Sequence, residues 1–128
     1  MERLSAAVEA AIEGEDGWEA RLSAGLRAGL ELLAADPPLA RLLLVDSLAS
    51  SGADRLRHER SLARLADALR PPAELTGGEL VSDEVLRLQA GGLASYLSGR
   101  VLAGEAQALP GAHPALFRYL LAFSAPRD

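Results

Sequence analysis

The chain has 128 residues and a formal net charge of −5, which suits one domain and argues against a surface that grips nucleic acid by its phosphates, since that requires a basic face. Nearly half of the residues are apolar (49%), mostly Leu and Ala, with few aromatics and few β-branched residues, so strands are disfavoured and an all-α bundle of about six helices is expected. There is no cysteine, hence no disulfide and no thiolate metal site; the apolar run Leu42–Val45 is far too short to span a membrane, and a cytoplasmic protein is expected.

The chain divides at its Pro and Gly clusters. In the first block Leu4, Val8, Ala11 and Ile12 share one face at helical spacing, and Gly14 with the acidic stretch to Gly17 ends it. The second block is predicted from about Trp18 to Ala35, with Trp18, Leu22, Leu26, Leu30 and Leu33 forming a stripe. Gly25 and Gly29 flank that stripe and disfavour helix by up to about 1 kcal/mol each against Ala. Two explanations stand, a closely approaching helix or space for a ligand.

"ADPPLARLLLVDSLAS" reads as the next helix. Asp36 is placed to cap it, and Pro37 and Pro38 fill a first turn where a missing N–H does no harm. The segment is apolar on most sides, which puts it inside a bundle, yet it carries Asp46. The fourth block, about Ala53 to Arg70, has Leu62, Leu65, Ala66 and Leu69 on one face and Arg57, Arg60 and Arg64 on the other. His58 shares the apolar side.

"RPPAELTGGEL", with the internal loop at 71–81, connects the first four helices to the rest. Ser82 then caps a long helix expected to reach about Ala106, with Asp83 and Glu84 near its positive end. Leu86, Leu93 and Leu97 line one face of it, together with Gln89, Tyr96 and Arg100. Leu88, Gly92, Ser95, Gly99 and Leu102 line another face at heptad spacing. "LPGAHP" leads into a terminal helix with Pro114 in its first turn and His113 placed to cap it. Leu116, Phe117, Tyr119, Leu120, Leu121 and Phe123 give that helix more apolar surface than a monomer of this size covers, so a partner chain is expected.

The order of these segments resembles the C-terminal domain of TetR-type transcriptional regulators. The likeness rests on the Trp-led helix, "LAADPPLARLLLVDSLA", the Arg-rich amphipathic helix, "GRVLAGEAQALPG" and the short last helix ending in "AP". It implies a single domain, 1–128, that binds a small, mainly apolar effector in a helical pocket and forms a homodimer through its last two helices. A family member normally begins with a three-helix DNA-reading domain. Nothing before Leu4 supplies one, so this stretch is read as a fragment or a free-standing relative, with no operator binding of its own.

On that reading the residues expected at the ligand are Trp18, Leu22, Leu26, Asp46, His58, Leu62, Gln89 and Tyr96. Those expected at the dimer interface are Gly92, Ser95, Gly99, Leu116, Leu120 and Phe123. Each has a plainer alternative. Asp46 fits the helix edge paired with Arg41 or Arg57 as well as a cavity shared with His58, where it would need a partner or a proton. His58 fits a core histidine bonded to backbone, Trp18 fits core packing, and Gln89 and Tyr96 fit pairing with each other as well as orienting a ligand. No HExxH, GxSxG or phosphate-binding Gly loop is present, and two histidines in separate blocks make a poor metal set. No cofactor or metal is expected, and the alternatives to the effector-binding domain are a structural dimerisation module with no physiological ligand and a small helical enzyme.

Overall fold

The computed structural model describes residues 2–44, 52–72 and 82–122, and within the helix at 52–69 the side chains of 52–55, 57, 58, 61 and 62 are outside that description. It is all-α. The helices are α1 (Glu2–Ile12), α2 (Trp18–Ala35), α3 (Pro37–Leu44), α4 (Gly52–Leu69), α5 (Asp83–Leu102) and α6 (His113–Ala122), with a 3₁₀ helix, Ala106–Ala112, between the last two. No strand occurs among the described residues.

Helix ends follow from side-chain and glycine chemistry. The Asp36 Oδ1 accepts the Leu39 N–H at 3.2 Å, so the aspartate before the two prolines caps α3 as the sequence suggests. The Ser82 hydroxyl accepts the Val85 N–H at 3.1 Å at the start of α5. The far end of α5 comes earlier than the expected Ala106. Gly104 takes a left-handed φ of 77°, its N–H bonds the Val101 carbonyl at 3.0 Å, and the Glu105 N–H bonds the Arg100 carbonyl at 2.9 Å. That pair of bonds is a Schellman closure, which terminates the helix at the one residue able to turn left without a steric penalty. The stretch before the last helix, which includes "LPGA", then winds into the 3₁₀ helix, burying Ala106 and Leu109.

Two buried clusters join the helices. Leu30 and Leu33 of α2, Ala40 of α3, Leu93, Leu97 and Val101 of α5, Leu109 and Leu116 form one. Ala66 and Leu69 of α4, Leu86 and Ala90 of α5 and Leu120 of α6 form the other. Leu26 and Leu65 pack against both. The outer face of α4 is exposed at Arg60 and Arg64, as its pattern requires.

α1 lies along α2, and this bears on the two glycines there. A Cβ on Gly25 would stand 3.2 Å from Val8 Cγ1, and one on Gly29 would stand 3.7 Å from Leu4 Cδ1. Gly25 therefore admits the close approach of α1, whereas Gly29 leaves room for a Cβ. α1 is also tied to the α2–α3 corner, where Arg3 Nη1 donates to Asp36 Oδ2 at 2.6 Å. That guanidinium, followed by the Leu39 N–H, holds the Asp36 carboxyl below its ordinary value of 3.8.

Candidate functional site

The surface of α5 carries the most telling arrangement. Leu88, Gly92, Ser95, Gly99 and Leu102 are all exposed, Leu88 by 74% and Leu102 by 59%. They follow one another at steps of four, three, four and three, so they form one stripe, about 21 Å long at 1.5 Å per residue. The stripe reads nearly the same from both ends: leucine outermost, glycine inside, serine at the centre. A second copy of α5 crossing antiparallel about a two-fold axis at Ser95 would set Leu88 against Leu102 and Gly92 beside Gly99. Such a surface is self-complementary, as a two-fold interface requires.

α6 flanks this stripe through Tyr119. Its hydroxyl donates to the Gln89 carbonyl at 3.2 Å and lies 2.6 Å from where a Cβ on Gly92 would be. Gly92 is thus open for a contact inside the protomer, whereas a Cβ on Gly99 would meet nothing within 4 Å. Burial pushes the Tyr119 phenol above its ordinary value of 10.0, which keeps it a neutral donor.

Other expected interface residues lie elsewhere. Leu116 and Leu120 are buried in their own protomer, at 7% and 2% exposure, each in one of the two clusters. Their position corrects the assignment of these two to a partner: α6 turns its leucines onto α2, α4 and α5. Phe123 lies outside the described residues.

The residues expected at a ligand do not gather around one cavity, as far as they are described. Leu22 and Leu26 pack against the buried clusters. Gln89 is only 2% exposed, and its Nε2 donates to the Leu120 carbonyl at 3.1 Å while its Oε1 has no partner among the described residues. Tyr96 is 41% exposed and sits under the Arg100 guanidinium, 5.9 Å from the ring centre, so it does not pair with Gln89. Trp18 lines a surface groove with Ser23 and Phe117, and its indole N–H is buried with no acceptor among the described residues. Asp46 and the side chains of His58 and Leu62 lie outside the described residues.

Two polar residues gain roles that the sequence did not suggest. His113 does not cap α6 with its side chain. It is buried, and its Nε2 lies 3.0 Å from the Ser23 carbonyl and 3.2 Å from the Ser23 hydroxyl. A carbonyl can only accept, so Nε2 carries the proton. The ring also stacks on Phe117 at 5.6 Å. Ser98, likewise buried, shares its hydroxyl between the Leu44 and Ala94 carbonyls, each at 2.7 Å, and so ties the end of α3 to α5. A serine beside a stripe of small residues gives no sign in sequence of which carbonyl it will meet.

No group of three or more metal-ligating side chains occurs among the described residues, and no helix among them is long and apolar enough to cross a membrane. Compared with known proteins, the chain matches no family model, no curated sequence and no solved structure.

Proposed function

We propose that the chain is the dimerisation and effector-binding domain of a TetR-type transcriptional regulator, a homodimer that senses a small, mainly apolar molecule and makes no nucleic-acid contact itself. The exposed, self-complementary stripe on α5 carries this reading. It lies on α5, one of the two helices named by the family resemblance, and Tyr119 of the other, α6, borders it at Gly92. Burying Leu88 and Leu102 against a second copy contributes about 1.5–3 kcal/mol each before the cost of association is deducted. The acidic charge of −5 supports a domain whose partners are a second copy and a small molecule, with DNA contact left to another region. The role is binding without catalysis: the described histidine, His113, is occupied with Ser23.

A second reading has one observation in its favour. The clusters between α2, α3, α4, α5 and α6 are filled by leucine, alanine and Val101, which fits a dimerisation module that takes no effector. Thermal unfolding against a panel of apolar small molecules separates the two. A true effector at a hundred times its dissociation constant adds about 2.7 kcal/mol of stability. If no compound raises the melting temperature while the protein remains dimeric, the module without an effector is the correct account.

A further inference from the structure

The end of the loop before α2, the first turns of α2 and Phe117 of α6 line a shallow surface groove of about 570 Å³ that is largely open to solvent. Its chemistry is one-sided. Trp18 and Phe117 supply aromatic surface, Asp16 and Glu19 supply two carboxylates, and no lining residue is basic. The loop leading into it is "EGEDGWE", and Arg21, just beyond it, turns its Nε onto the Glu15 carbonyl at 3.2 Å. Neither Asp16 nor Glu19 has an ion-pair or hydrogen-bond partner among the described residues.

The aromatic wall is also held in place. Phe117 stacks on His113, and His113 is fixed to Ser23 by its bond to the backbone carbonyl. Ser23 itself lines the groove. Gly17, at a left-handed φ of 87°, turns the chain so that Asp16 and Trp18 come to the same opening. Trp18 is partly buried there.

Aromatic faces beside unpaired carboxylates attract an organic cation, through the ring quadrupole and through charge, and repel an anion. We propose that this groove binds a small organic cation with an apolar body, an alkyl- or arylammonium compound, held between Trp18 and Phe117 with Asp16 and Glu19 as counter-charges. The site lies within one protomer and depends neither on the dimer nor on an effector pocket between the helices.

Trp18 is the single tryptophan of the chain, so its fluorescence reports directly on the groove. The probe is benzyltrimethylammonium, compared with neutral benzyl alcohol and anionic benzoate. The expected result is a saturable fluorescence change with the cation, a weaker response to the alcohol and none to benzoate. Asp16→Asn and Glu19→Gln should each weaken the cation about two- to fivefold. Both residues are exposed, and circular dichroism checks that the variants stay helical. Equal binding of benzyl alcohol, the same affinity in the two variants, or no saturable change in the folded protein would overturn the proposal. Leu88→Glu with Leu102→Glu, which removes the proposed dimer contact, should bind the cation as wild type does; loss of binding there would show that the groove is not a single-protomer site.

Discussion

Asp36 uses its two carboxylate oxygens for different purposes: Oδ1 caps α3 and Oδ2 holds Arg3 of α1. Both contacts favour the ionised form, so its folded pKa lies below the ordinary 3.8. A depressed acid pKa contributes stability above the unfolded value and loses it as pH falls through the folded one. Asp36→Asn keeps a cap acceptor and removes the charge. Melting temperatures of wild type and variant should therefore differ most above about pH 5 and converge as the pH drops below the lowered pKa. A gap that stays constant to acid would mean that the Arg3 contact adds nothing. The glycines give a second prediction at this scale. Gly29→Ala meets only ordinary contacts and should stabilise by about 0.5–1 kcal/mol, whereas Gly25→Ala should gain less because Val8 must move. Gly92→Ala displaces the Tyr119 hydroxyl, so its effect should change by about 0.5–1.5 kcal/mol in a Tyr119→Phe background. Urea unfolding of the single and double variants measures that coupling. The Asp36 and Ser82 caps were legible in sequence because a cap acts on amides three residues away. The Ser23 partner of His113, the Leu44 partner of Ser98 and the Leu120 partner of Gln89 were not, because each lies on another helix and is set by packing.

α5 shows how an element can be read correctly in its middle and wrongly at its end. Its two faces follow from the helical period: burial turns Leu86, Leu93, Leu97 and Gln89 inward and the small-residue stripe outward, while Tyr96, read with the inward leucines, is 41% exposed. The periodicity continues past Leu102, so it gives no stop signal, and only the left-handed turn at Gly104 does. Gly104→Ala should cost about 1–2 kcal/mol in urea unfolding, because φ 77° is strained for any residue with a Cβ, although nothing crowds that position. A neutral result would mean that the closure does not fix the end of α5. α6 carries the opposite lesson. Its run of large apolar residues looked like surplus surface, but Leu116 and Leu120 fill two different clusters from one helix. Leu120→Ala should accordingly destabilise the protomer by about 2–5 kcal/mol, which thermal or urea unfolding would reveal.

At the scale of the whole molecule, α2, α5 and α6 contribute to both buried clusters or pack against them, leaving the stripe on α5 as a long exposed row. The helical class followed from composition and period alone. The proposed partner surface was only half legible: the heptad spacing marked the stripe, while exposure was needed to separate it from the leucines of α6. Sedimentation analysis of wild type beside the Leu88→Glu, Leu102→Glu variant tests the central claim most directly. Both positions are exposed in the protomer, so the variant should stay folded, and in the proposed two-fold pairing four carboxylates would face one another. The account predicts a wild-type dimer and a helical, monomeric variant. A wild type that is monomeric at micromolar concentration, or a variant that remains a dimer, would contradict it.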